Sequence, residues 1–453
     1  MVEISADLKP VAQPILSKPY RRFALGLLLL IYTLNFLDRQ IVSILAEPIK
    51  QELKLSDGQL GLMTGLSFAL FYTVLGIPIA RLADKGRRNW IISGALALWS
   101  LFTFGCGLSR TFVQLLIMRV GVGVGEAGCS PSAHSLISDY APKEERASAL
   151  AIYAMGIPLG SLAGMALGGV IADAYGWRAA FMLVGGPGVI LAGVAALALK
   201  ETRTGTAQAL QTTPQTETPT LGEVMGALRR KPGFWWISLA AGMVSLVGYG
   251  HLYFLGSFFV RAHGAELAPL ASAVGRLTGV TLGPKGFLGT SLGLIIGVFG
   301  GLGSFFGGKL TDHFAKRDAR AYALLPAAAT VLAGPLLILA FLTPSAAVAM
   351  VLLPIPILLG AVWYGPVFAC VQGLTPPAMR ATAAAILLFV VNLIGLGMGP
   401  PFTGAISDLF AKAGHYGSVE GLRISMIVTA LMGVLAIGFF VLAARTLRQE
   451  MES

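Results

Sequence analysis

Between residues 119 and 131 the chain reads RVGVGVGEAGCSP, an arginine, a glutamate and a proline set among glycines and small apolar residues. At helical spacing Arg119, Gly123, Glu126 and Ser130 fall at i, i+4, i+7 and i+11 and share one face. That face carries a cation, a proton acceptor and a hydroxyl. A second charged pair, Asp38-Arg39, interrupts an apolar run that begins at Phe23. Ionisable groups are costly in hydrocarbon, so they face a bundle interior or a watery cavity and mark pathways for ions and substrates. The chemistry on offer is reversible proton transfer beside fixed positive charge.

Protonating a carboxylate would release the arginine it holds, and that arginine could then take an anionic group. Asp38 and Glu126 are the expected proton-coupling residues, and Arg39 and Arg119 the expected gating or headgroup partners. Asn35 and Ser130 accompany them in the first half of the chain. The second half has almost no ionisable residue at mid-span. It contributes His251 and Asn392 beside the aromatics Tyr249, Tyr253, Trp363 and Tyr364, an expected apolar and aromatic wall of the same cavity.

Elements that span a membrane must position these residues. Of 453 residues, 55% are hydrophobic and 12% charged, about half the charged share of a soluble domain. The net charge of +11 comes from short basic clusters between apolar runs. Such clusters set topology rather than form a nucleic-acid face, and no nucleic-acid partner is expected. Cys106, Cys129 and Cys370 lie in apolar segments without metal-ligand or disulfide spacing. His134 stands eight residues beyond Glu126, and no HExxH or Walker pattern is present. Neither an enzyme nor a metal or other cofactor is expected. The apolar run from Phe23 is too long for a cleavable signal and reads as a retained span.

The pattern predicts an all-α integral membrane protein of twelve spans, each long enough for a ~30 Å hydrocarbon core. Residues 1–200 form a six-helix bundle, 201–232 a cytoplasmic linker, and 233–453 a second six-helix bundle. With the N-terminus inside, 22 of the 33 Lys and Arg residues fall in cytoplasmic segments and nine in outer ones. Both termini are therefore expected in the cytoplasm. Residues 202–220 are Thr-, Gln- and Pro-rich, whereas Leu221, Val224, Met225 and Leu228 recur at helical spacing and predict a short amphipathic surface helix. The long, Gly-rich outer stretch 261–286 reads as a loop in preference to a lid, and Glu201 and Glu223 as solvated ends.

The chain also repeats. The stretch from Ala80 to Arg88 after the second span matches Gly308 to Arg317 after the eighth, and Pro142…Arg146 matches Pro376…Arg380. The offsets are 228 and 234 residues, which predicts two halves repeated in parallel.

On these residues the chain resembles the major facilitator superfamily over essentially its whole length. Gly308, Leu310, Asp312, Lys316 and Arg317 meet the superfamily's G-x-L-x-D-x-x-x-[KR]-R pattern; the first-half copy departs from it, with Ala80 for the leading glycine and a tighter spacing after Asp84. The resemblance implies a cytoplasmic latch formed by Asp84, Arg88, Asp312, Arg317, Arg146 and Arg380. Within the superfamily, Asn35-Phe-Leu-Asp38-Arg39-Gln40 and Arg119 through Pro131 resemble the spinster-like branch of lipid and lysolipid transporters, here as a bacterial homologue. In the fifth span, Gly156, Pro158, Gly160, Gly164, Gly168 and Gly169 resemble a Gly/Pro-rich antiporter helix loosely and suit plain helix packing equally.

The resemblance implies a monomeric, multi-pass transporter of the inner (plasma) membrane, working by alternating access. Its expected partners are membrane lipids, protons and an amphipathic lipid-like or organic anionic substrate. A proton-coupled exporter of drugs or metabolites and an uncoupled facilitator are the alternatives within the class. An integral-membrane enzyme or a channel is the alternative outside it.

Overall fold

A computed structural model of the chain describes residues 16–142, 145–202 and 219–452, and among these every regular element is helical. The first span is Lys18–Leu53. The second joins Asp57–Thr64 to Leu66–Lys85, the third is Arg88–Leu108, and the fourth joins Phe112–Glu126 to Cys129–Tyr140. The fifth and sixth come from Arg146–Ala154 and Gly156–Ala198. A straight helix over 148–198 would be about 75 Å long, far more than a bilayer. It turns back at Gly176, whose φ of 81° and ψ of 170° suit a residue without a Cβ. Among the described residues, eleven helical stretches are long and apolar enough to cross a membrane, and this one crosses twice, which gives twelve passes.

After the short helix Leu221–Arg229, the seventh span begins at Pro232 and runs to Thr278. The eighth is Pro284–Leu294 with Gly300–Ala315, and the ninth Ala321–Leu342. The tenth is built from Ala346–Leu352, Pro354–Gly360 and Tyr364–Leu374. The eleventh comprises Arg380–Val391 and Gly399–Lys412, and the twelfth Gly417–Leu431 with Gly433–Glu452. The surface that remains is apolar where lipid would lie, with Ile190, Leu197, Leu277 and Val351 largely exposed.

Two readings of the sequence are corrected here. Residues 261–278 continue the seventh helix past a bend at His263 instead of forming a loop. Leu267 and Ala271 are buried, so this extension has an apolar seam that its glycines obscure in the sequence. Glu201 is no solvated end: its side chain is 5% exposed and accepts from the backbone and guanidinium of Arg88. The predicted amphipathic helix forms with a Thr220–Glu223 capping box, and Val224 and Leu228 are buried among residues of the seventh, tenth and eleventh spans.

The apolar interior is not shared evenly between the ends of the molecule. At the end remote from the chain termini, residues of both halves merge into one cluster, in which Ile44 and Ile49 join Phe258, Phe287 and Phe341. At the end that carries the termini, the second half keeps a separate core around Phe234, Phe440 and Leu447. The two halves are thus closed on each other at the remote end.

Helices in lipid gain little from hydrophobic burial and associate through close packing, which small residues permit. The fifth span meets the first along Gly156, Gly160, Gly164 and Gly168, so these glycines serve packing. A Cβ at Gly160 would stand 2.4 Å from the Thr33 carbonyl oxygen. We expect Gly160→Val to push the two helices apart at a cost of about 1–3 kcal/mol, seen as a lower melting temperature in detergent. Exposed Gly193, whose Cβ would meet nothing within 4 Å, should accept the same change without loss.

Candidate functional site

The fourth span breaks at Ala127 and Gly128, immediately after Glu126. Pro131 accounts for the position, because a proline cannot return a hydrogen bond to the carbonyl four residues before it, that of Ala127. The break places Glu126 at the C-terminal end of a helical segment, where partial negative charge makes a cation welcome. Arg39 is that cation: its Nε donates to Glu126 Oε2 at 2.6 Å. Close approach of the third span is possible because Gly125 has no side chain; a Cβ there would lie 2.6 Å from the Trp99 backbone nitrogen.

Arg39 is also enclosed by rings. Its guanidinium carbon lies 5.1 Å from the Phe36 centroid, 4.9 Å from Phe68 and 4.5 Å from Tyr72. Each such contact is worth roughly 0.5–2 kcal/mol, more when water is excluded. Phe68 stacks on Tyr72 and also faces Arg119, at 5.7 Å. Sequence reasoning missed Phe68 and Tyr72, whose i, i+4 spacing puts both on one face of the second span.

Behind this pair sits a second polar group. Asp38 is 2% exposed, Arg119 1% and Glu126 1%. Asp38 faces Glu126, Arg119, Thr103 and Trp99. Among the described residues, the three guanidinium nitrogens of Arg119, Asp38 Oδ1, Glu126 Oε1 and both amide atoms of Asn35 have no hydrogen-bond partner. Buried polar atoms are seldom left so, and these make a cluster of unsatisfied donors and acceptors between the first and fourth spans. Trp99 and Thr103 were not anticipated; nothing in a span otherwise apolar singles them out.

The second half reaches this site through Tyr249 and Tyr253 of the seventh span. Tyr253 is buried near Arg119, Arg39 and Glu126, and Tyr249 lies near Arg39 and Tyr72. Tyr364 is close to Tyr249 and stacks on buried Trp363 at 4.1 Å. Ser130 and Asn392 are half-buried, and Asn392 opens a π-helical stretch to Met398 in the eleventh span. Another π-turn, Ile295–Phe299, interrupts the eighth. Such irregular backbone inside a span is tolerated where protein or a cavity covers it. His251 is placed elsewhere. Its Nε2 bonds to the Met426 carbonyl at 2.9 Å and its ring packs on Phe341, inside the second half.

Three of the residues expected to form a cytoplasmic latch, Arg88, Arg146 and Arg380, find partners within their own halves. Arg88 is fully buried, bonded to Glu201, Asp139, Ser135 and Thr202. Arg146 Nε donates to the Ala141 carbonyl and Arg380 Nε to that of Thr375, both at 3.3 Å. These equivalent bonds close the C-terminal ends of the fourth and tenth spans. Asp312 and Arg317 are exposed, and the side chain of Asp84 lies outside the described residues. A Cβ on Gly308, the first residue of the superfamily pattern, would meet nothing within 4 Å; the close approach belongs to Gly365, where a Cβ would lie 3.0 Å from the Gly308 Cα.

Two six-pass bundles, joined at one end around a buried charged site, define the class of membrane carriers built from parallel repeats. Residues 28–400 match the model of the Major Facilitator Superfamily. A solved bacterial homologue of the human lysosomal transporter Spinster, inward-facing and unoccupied, superposes with a TM-score of 0.84 at 34% identity, covering 96% of this chain and 99% of that one. The same homologue in an inward-facing, occupied conformation gives 0.81. An MFS-type efflux pump of Mycolicibacterium smegmatis is 33% identical over 95% of this chain and 94% of its own. Protein spinster homolog 1 of Bos taurus is 27% identical over 93% of this chain and 80% of its own. The chain belongs to the major facilitator superfamily, as a spinster-like transporter.

The Arg39–Glu126 pair sets an energetic expectation. Glu126→Ala would strand a buried guanidinium and should cost about 3–5 kcal/mol, read as a fall in melting temperature in detergent. Adding Arg39→Leu should recover part of that loss. A double-mutant cycle should return a coupling energy of at least ~1 kcal/mol, and additive effects would mean that the pair is not coupled.

Proposed function

We propose that this protein is a proton-coupled secondary transporter that moves an amphipathic, lipid-like or organic anionic substrate by alternating access. The Arg39–Glu126 ion pair carries this reading: a proton acceptor and a potential anion receptor neutralise each other at 2.6 Å, beside the aromatic residues of the opposite half. Protonation of Glu126 frees Arg39 for an anionic headgroup, and arrival of the headgroup in turn favours release of the proton. Asp38 and Arg119 extend the same exchange into the bundle, and Tyr249, Tyr253 and Tyr364 offer surface to an apolar tail. One proton moved through 100 mV supplies about 2.3 kcal/mol, enough for roughly fifty-fold accumulation of a neutral solute.

The distribution of basic residues puts both termini in the cytoplasm, which makes the remote end the outer one and the structure inward-facing. The similarity to bacterial members of the superfamily supports a location in the inner membrane of a bacterium, which we propose the protein occupies as a monomer. The latch reading of Asp84, Arg88, Asp312, Arg317, Arg146 and Arg380 then concerns the opposite state, with the cytoplasmic end closed. Export of a drug-like or metabolite substrate is the second reading, favoured by the name of the Mycolicibacterium relative.

Proteoliposomes loaded with a pH-sensitive dye test the proposal. Lysolipids, sphingoid phosphates and drug-like cations are added in turn. One class should trigger proton movement, and Asp38→Asn or Glu126→Gln should reduce that signal at least tenfold while substrate still binds. Substrate uptake with no proton flux in the unaltered protein would refute coupling and leave a facilitator.

A further inference from the structure

The closed remote end is held by two contacts of the same kind. Asp408, at the end of the eleventh span, accepts from the backbone nitrogens of Asp57 at 3.0 Å and Gly58 at 2.8 Å, the first donors of the second span. Asp173, near the end of the fifth span, accepts at 2.8 Å from the backbone nitrogen of Gly286, in the first turn of the eighth. Each half thus lends one carboxylate and one helix start. Asp173 and Asp408 are 235 residues apart, and Gly58 and Gly286 are 228 apart, the two offsets of the sequence repeat to within one residue.

The packing beneath each contact repeats as well. A Cβ at Gly404 would stand 2.1 Å from the Asp57 carbonyl oxygen, and one at Gly169 2.2 Å from that of Lys285. One turn further in, a Cβ at Gly61 would stand 2.2 Å from the Pro400 carbonyl, and one at Gly289 2.1 Å from that of Met165. Two seams related by the repeat therefore bring backbone against backbone, and each is topped by a carboxylate on a helix N-terminus.

We propose that Asp408 and Asp173 are a matched pair of latches that hold the remote end shut and release together when it opens. A helix start attracts negative charge, and a carboxylate on free backbone donors makes a charge-assisted bond. These bonds exist only while the halves touch at this end, so their contribution belongs to one conformation, which is what shifts an equilibrium between two. Release leaves the helices intact. Ser56 Oγ accepts from Gln59 N, and Gln59 Oε1 accepts from Ser56 N, so the second span keeps its own cap. The eighth begins with Pro284, which needs no partner for a missing N–H.

The latches differ in strength. Asp57 itself accepts from Arg261, Lys50 and Ser407, and Arg261 also donates to Glu47, so charges from the first, second, seventh and eleventh spans gather at the Asp408 seam. The residue equivalent to Asp57 in the other seam is Lys285, 228 positions on. The Asp408 latch is the stronger of the two.

Double electron–electron resonance in lipid nanodiscs tests this without any substrate or proton gradient, so failure of the latch and failure of the coupling reading are separable. Spin labels are carried on cysteines introduced at exposed Gln51 and Lys412; native Cys106, Cys129 and Cys370 are buried. Asp408→Ala should raise the ratio of long to short distances on the order of tenfold, and Asp173→Ala should raise it less. The double variant should exceed both. Asp408→Asn, which keeps an acceptor but no charge, should fall between wild type and Asp408→Ala, and it serves with Asp173→Ala if Asp408→Ala does not fold. Distance distributions identical to wild type in folded Asp173→Ala and in either Asp408 variant would overturn the proposal.

Discussion

The structure depends on burying the Arg39 guanidinium in the middle of a membrane bundle. A lone charge there is intolerable, and three separate features of the chain answer it. Pro131 breaks the fourth span so that Glu126 ends a helical segment beside Arg39, at 2.6 Å. Gly125 lets the backbone of the third span come close behind. The second span turns Phe68 and Tyr72 toward the cation, so that aromatic faces replace part of its lost hydration. Losing the glutamate would leave the rest arranged around an unbalanced charge.

Much of this was legible in the sequence because ionisable residues are so rare in apolar spans that each one points to the interior. Asp38, Arg39, Arg119 and Glu126 stood out for that reason, and the structure brings them together. The rings around Arg39 were not legible, since Phe68 and Tyr72 lie in a span where aromatic residues are ordinary lipid-facing choices. Glu201 was misread because its partner, Arg88, is 113 residues earlier and pairing at that distance leaves no local pattern. The helical stretch from Arg261 to Thr278 was misread for the opposite reason. Its glycines signal a loop, while its apolar seam is short and the helix it prolongs decides the matter.

Hydropathy and the repeat fixed the number and order of passes, but neither reveals which end of a carrier is closed. That depends on weak terms spread over both halves. At the remote end the apolar clusters of the two halves are continuous, whereas at the other end Phe234, Phe440 and Leu447 form a core of the second half alone. Arg146 and Arg380 satisfy carbonyls of their own halves, so their charge does not at present hold the halves together. The same side chains are available for other partners once that end closes.

The site and the closure obey different symmetries, and this separates their roles. The charged residues belong to the first half, with no counterparts in the second, so they cannot by themselves produce a motion that treats the halves alike. The seams at the remote end are nearly equivalent, because a parallel repeat places the fifth span against the eighth as it places the eleventh against the second. A rocking motion needs such equivalence, since both seams must part for a path to open between them. In the mechanism proposed above, an asymmetric event, the exchange of a proton for an anion at Arg39, would act on a symmetric mechanical element. The link between them is short: Arg39 and the Arg261 partner Glu47 lie on the same helix, eight residues apart, with Pro48 between them and the remote end. On the proposed mechanism, a change in what Arg39 holds has the first span as its direct route to the cluster that braces the Asp408 seam.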